Sequence, residues 1–115
     1  MGKKNLITKY SKFVKETYKY DFDSYNLMYL SNGLGGEVGE VQNEVKKMYR
    51  LMSKEVSIDS QAIKDLQFSE RKENIKKELG DVLWYVFAIA NNLDISVEDV
   101  IFNNIIKNEM NKNKN

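Results

Sequence analysis

No proline occurs anywhere in this chain, and its apolar residues recur along most of its length at three- and four-residue steps. Proline is the strongest helix breaker, costing about 3 kcal/mol in a helix interior. Strict apolar–polar alternation, the mark of a half-buried strand, is missing. The sequence therefore predicts an all-α fold, a compact bundle of four principal helices. With 115 residues it reads as one domain spanning 1–115. A chain of this size buries under about 70% of the surface its unfolded form exposes, so a helical one gains by associating with copies of itself.

The first helix is marked by Ile7, Tyr10, Val14 and Tyr18, with Lys9, Lys12, Lys15 and Lys19 between them as a solvated face, and is expected to end near Asp21. A second stretch runs from Ser24 to Met52 and contains Gly33, Gly35, Gly36 and Gly39, each costing roughly 1 kcal/mol against Ala. Leu34, Val38, Val41, Val45 and Met48 nevertheless form one stripe, which survives only if the backbone stays helical throughout. Glycines 35, 36 and 39 fall on the side away from that stripe, where a missing side chain permits close approach by a helix or ligand.

Ser53 to Ser69 reads as a polar connection in which Asp59 or Ser60 caps a short helix through Leu66. From Glu70 to Leu93 the pattern resumes. Leu79, Val82, Leu83, Val86, Phe87, Ile89 and Ala90 cover so much of the circumference that this helix is expected to be central. Asn91-Asn92-Leu93-Asp94 ends it, and Ser96-x-x-Asp99 forms a capping box for a last helix carrying Val97, Val100, Ile101, Ile105 and Ile106. The tail, residues 111–115, is expected to fray.

Composition excludes whole classes of chemistry. The chain has no Cys and no His, so thiol nucleophiles, Ser-His-Asp catalysis and zinc-thiolate sites are out, as is the Glu-x-x-His motif of di-iron bundles. Any catalysis falls to carboxylates, Lys, Tyr or Ser. Eighteen basic and 17 acidic side chains give a net charge of +1, which provides no field for holding a nucleic acid polymer. The longest uncharged apolar run, Val82 to Ala90, falls far short of the roughly 20 residues that span a bilayer. No apolar h-region follows the basic start. The expectation is a cytoplasmic protein with no membrane partner.

Chemistry enters through Glu37-Val38-Gly39-Glu40 and Glu78-Leu79-Gly80-Asp81. The i, i+3 spacing puts both carboxylates of a pair on one helix face, about 60° apart. Each pair lies beside an apolar stripe, at the seam where another helix packs, although a purely solubilising acid favours the far side. If the two seams meet, carboxylates about 5 Å apart cost on the order of 3 kcal/mol per pair at an effective dielectric of 20. Only cations make that tolerable, and the hard oxygen donors imply Mg²⁺, with Mn²⁺ as a substitute. Asp21-x-Asp23 lacks the rest of an EF-hand loop, and Gly33-x-Gly35-Gly36 lacks the Lys-Ser/Thr of a phosphate loop.

Gly33-Leu34-Gly35-Gly36-Glu37-Val38-Gly39-Glu40-Val41 and Lys77-Glu78-Leu79-Gly80-Asp81-Val82-Leu83-Trp84-Tyr85 resemble the two signature blocks of the MazG-like family of all-α nucleoside triphosphate pyrophosphohydrolases. The resemblance covers roughly Leu27 to Lys107. It implies hydrolysis of a nucleoside triphosphate between its α and β phosphates, giving a nucleoside monophosphate and pyrophosphate, a nucleotide house-cleaning reaction. It further implies that Glu37, Glu40, Glu78 and Asp81 hold Mg²⁺ and serve catalysis, and that the protein is a homo-oligomer, dimer or tetramer. Asn104-Ile105-Ile106-Lys107 matches the Asn-x-x-Lys that family members commonly carry on the last helix, but Asn111 replaces a basic residue often found one turn on. The connection across 53–69 is longer than usual in the family.

Three further assignments stay open on the sequence. Lys47 is either a phosphate ligand or an intrahelical partner of Glu44. Tyr85 either stacks on a base or packs, and Trp84 belongs to the core or to a subunit interface. The alternatives to catalysis are a nucleotide- and metal-binding module that turns over nothing, and a helical dimerisation element with incidental acids.

Overall fold

The computed structural model describes residues 2–18, 24–53 and 61–113, which form four α-helices and, among the described residues, no strand. They are α1 (Leu6–Thr17), α2 (Ser24–Met52), α3 (Gln61–Asn92) and α4 (Val97–Asn113). The all-α expectation holds. α2 has the expected bounds, its glycines notwithstanding.

Three boundaries differ from the sequence reading. α1 stops at Thr17, short of Asp21: Tyr18 is extended (φ −92°, ψ 109°), and its N–H reaches only back to the Val14 carbonyl, at 2.9 Å. The Thr17 hydroxyl donates to the carbonyls of Phe13 and Val14, the local bonding by which Thr disfavours helix continuation. Asp21 itself lies outside the described residues.

α3 starts at Gln61, so residues 61–69 belong to the long helix and not to a separate short one. No Gly stands between 61 and 79 to break it, and Gln61 Nε2 donates to Asp65 Oδ1 one turn on, at 2.8 Å. Asp59 and Ser60 lie outside the described residues. Finally, α4 carries residues 111–113 in helix where fraying was expected, while 114 and 115 are not described.

The α3–α4 junction is built from two caps. Asp94 takes the left-handed conformation (φ 55°), Ile95 N–H donates to Ala90 O at 2.8 Å, and Asp94 N–H donates to Asn91 O at 3.2 Å. This is the Schellman closure, with Asp in the place more often given to Gly. Ser96 Oγ then accepts from Asp99 N–H at 3.4 Å, and its own hydroxyl turns to Glu98.

The backbone divides into two compact units, one of Met1–Leu30 with Val86–Asn115 and one of Ser31–Tyr85. The first contains the core: Val14, Leu30, Phe87, Ala88, Ala90 and Val97 are buried, and Tyr10 sets its ring edge-on to Phe87, centroids 4.8 Å apart. Asn91 and Ser11 exchange two hydrogen bonds, Ser11 Oγ to Asn91 Oδ1 and Asn91 Nδ2 to Ser11 O.

The second unit consists of the remaining lengths of α2 and α3, and none of its described residues is fully buried. Val38, Val45, Leu79 and Leu83 are each about half exposed there. Of Leu79, Val82, Leu83, Val86, Phe87, Ile89 and Ala90, the residues from which a central α3 is expected, only Phe87 and Ala90 are buried. The amphipathic stripes exist, but among the described residues much of their surface is left uncovered.

Leu30 is fully buried, so Leu30→Ala should cost about 3 kcal/mol through lost transfer energy and a residual cavity. Urea unfolding should show a lower midpoint at an unchanged slope. A midpoint within 0.5 kcal/mol-equivalent of the parent (about that precision) would contradict the assigned core.

Candidate metal and nucleotide site

The second unit brings the acidic pairs of α2 and α3 together. Glu37 and Glu78 are half-buried, Asp81 is exposed, and one carboxylate oxygen from each lies within 4.8 Å of the other two. At that spacing two like charges repel by about 3 kcal/mol at an effective dielectric of 20. The effect registers at Glu37, whose carboxyl is held above its ordinary value of 4.5 by burial first, then by the charge of Asp81 and by a hydrogen bond and charge from Glu78, with Glu40 contributing least. A hydrogen bond between two carboxyls requires a proton on one of them.

Glu40 stands apart from this triple. It lies one turn along α2 and is exposed, and the structure groups the other three motif carboxylates without it. No Lys or Arg forms an ion pair with Glu37, Glu78 or Asp81 among the described residues. Three carboxylate oxygens with no cationic side chain fit a hard divalent cation, which takes oxygen ligands and keeps positions for water or phosphate.

Beside the carboxylates lies an open pocket of about 330 Å³ lined by Glu37, Asp81, Trp84 and Tyr85. The two aromatic rings meet edge to face, centroids 5.1 Å apart at 82°. Acid and aromatic surface therefore share one opening. Glycines 35, 36 and 39, expected to admit a close neighbour, have nothing within 4 Å of where a β-carbon would stand; Gly33 has the Tyr85 ring there.

Glu44, the next acid along the α2 face, has a different fate. Its side chain is 13% exposed and accepts from Lys47 at 3.3 Å and from Arg71 of α3 at 3.4 Å. Burial pushes its carboxyl up, but the two cations together outweigh that and hold it below 4.5. The intrahelical alternative for Lys47 is thus realised. Arg71 was not legible as part of this group, because its partner lies on another helix and no i, i+3 or i, i+4 spacing announces it.

Asn104 and Lys107 lie on α4, in the first unit, and both are exposed; Asn104 Oδ1 accepts from Asn108 Nδ2 at 3.0 Å. That unit has a cavity of its own, about 400 Å³, whose Lys12 and Lys15 are offset by Asp94 and Glu98. With its charges balanced and no convergent donor set, it has less chemical character than the smaller acidic pocket.

Residues 27–114 match the family model of the MazG nucleotide pyrophosphohydrolase domain. The chain is also similar to the Gene 37 protein of Mycobacterium phage L5, 35% identical over 95 residues, which cover 82% of this chain and 74% of that protein. No solved structure matches it.

The crowding has a pH signature. Folded Glu37 keeps its proton to a higher pH than an unfolded glutamate, so metal-free protein loses stability from this group as pH rises through the raised value and regains it on acidification toward 4.5. Glu78→Gln, which deletes one of the repelling charges, should therefore raise the Tm in EDTA at pH 8, by an increment that shrinks toward pH 4.5. Equal melting of the two proteins at every pH would remove the repulsion from the account.

Proposed function

Because the chain belongs to the MazG nucleotide pyrophosphohydrolase domain family, we propose that it hydrolyses a nucleoside triphosphate between the α and β phosphates, releasing a nucleoside monophosphate and pyrophosphate, with Mg²⁺ as cofactor and Mn²⁺ as its substitute. The observation that carries this reading is the meeting of Glu37, Glu78 and Asp81 within 4.8 Å with no ion-paired cationic side chain among the described residues. A bound Mg²⁺ supplies Lewis acidity toward phosphate oxygens and lowers the pKa of water.

The chain's own residues do the rest. Glu37, Glu78 and Asp81 hold the cation at the junction of α2 and α3, and Glu40 completes the set by its place in the motif. A carboxylate of this group takes the proton of the attacking water, the role that a chain without histidine must give to an acid. Trp84 and Tyr85 offer the nucleotide's base a planar surface on the same pocket. Asn104 and Lys107 are proposed as substrate-binding residues on the Asn-x-x-Lys match alone, whereas Lys47 is already paired with Glu44.

Half-exposed Val38, Val45, Leu79 and Leu83, with Phe102, Ile105 and Met110 on α4, support a homo-oligomer, dimer or tetramer, in which copies of the chain cover these residues. No described helix is long and apolar enough to cross a membrane, and the charge balance supports a nucleotide and not a nucleic acid polymer as substrate, acted on in the cytoplasm.

A panel of standard and modified nucleoside triphosphates assayed for pyrophosphate tests the proposal. At least one should be turned over in Mg²⁺ and none in EDTA. Loss of even an outer-shell partner of a metal ligand costs about 10–100-fold, so Asp81→Asn should lower the rate by more than that while leaving the helical circular dichroism intact. Nucleotide binding without pyrophosphate release would favour the non-catalytic module.

A further inference from the structure

Gly33 is the glycine whose missing side chain is filled by something else. A β-carbon built there would stand 2.8 Å from the Tyr85 hydroxyl oxygen and nearer still to the ring carbons Cε1 and Cζ, inside the 3.0 Å that real β-carbons essentially never breach. The glycines at 35, 36, 39 and 80 have nothing within 4 Å of the same position, so the requirement is local to 33. A tyrosine ring is rigid, and this one is set edge to face against Trp84, so it cannot yield by flexing. It must swing away from α2, and the pocket beside Glu37 and Asp81 is what it lines.

We propose that Gly33 is a positioning residue for the nucleotide pocket: the bare backbone at 33 lets the Tyr85 ring lie against α2 and fixes the aromatic wall next to the carboxylates. The inference rests on the reading of that pocket as the nucleotide site. It also explains why a poor helix former stands one turn before Glu37 on a face where Ala would favour the helix. Any side chain at 33 displaces the wall while leaving the carboxylates on their own turns.

Four backgrounds test it. In the parent and in Tyr85→Phe, which keeps Cε1 and Cζ, Gly33→Ala should lower the Tm. In Tyr85→Leu, which lacks those atoms, the same change should raise it, because only the better helix propensity of Ala remains. Stacking of a base on an aromatic ring is worth enough to change affinity by about tenfold or more. Gly33→Ala alone should therefore raise KM by about that factor with kcat within about threefold, and should add nothing to KM once Tyr85→Leu is present.

Trp84 fluorescence, titrated with a non-hydrolysable nucleoside triphosphate in Mg²⁺, should report the same loss of affinity independently of turnover. A Tm change of one sign in all backgrounds overturns the packing argument. A sign reversal with KM and the titration unmoved leaves Gly33 a packing residue only and overturns the positioning role. Parent protein that binds nucleotide but hydrolyses none removes the proposed function and leaves this inference to the titration; parent protein that binds none removes both.

Discussion

Repulsion among three half-buried to exposed carboxylates is the constraint on which the second unit depends. Glu37, Glu78 and Asp81 reach within 4.8 Å of one another although nothing in the described residues neutralises them, and the hydrophobic surface buried alongside is small. Like charges at that spacing oppose folding of the metal-free chain. The local sequence is arranged to sustain the cluster: i, i+3 spacing stacks each pair on one face, and small residues at 39 and 80 keep the α2 and α3 surfaces beside the acids uncluttered.

Contrast within one helix face sharpens the point. Glu44, two turns beyond Glu37, meets Lys47 and Arg71 and is held charged, whereas Glu37 meets only acids and is pushed toward protonation. The same residue type on the same helix is thus ion-paired in one place and crowded by like charge in the other. What separates them is the charge that the facing helix presents, Arg71 against one and Asp81 against the other.

Much of this was legible in the sequence. The bounds of α2, the all-α class and the pairing of acids beside apolar stripes follow from periodicity and the absence of Pro. Other features are tertiary or conformational, and no spacing rule reports them. Arg71 joins Glu44 across helices. Glu40 shares the motif but not the cluster. The glycine that admits a neighbour is 33 and not 35, 36 or 39, because the position of an aromatic ring on another helix decides it. The start of α3 lies beyond the amphipathic signal: Ile63, Leu66 and Phe68 form no single stripe and are substantially exposed, so the helix there runs on propensity. Periodicity marks which residues seek a partner and is silent on whether one chain contains it.

The central claim is that these carboxylates are crowded in order to hold a divalent cation. Crystals of the full chain grown with Mn²⁺ and measured at the manganese absorption edge test it most directly. The account predicts an anomalous peak within coordination distance, about 2.2 Å, of oxygens from Glu37, Glu78 and Asp81. Those three side chains turned apart into solvent, with no peak between them, would contradict it.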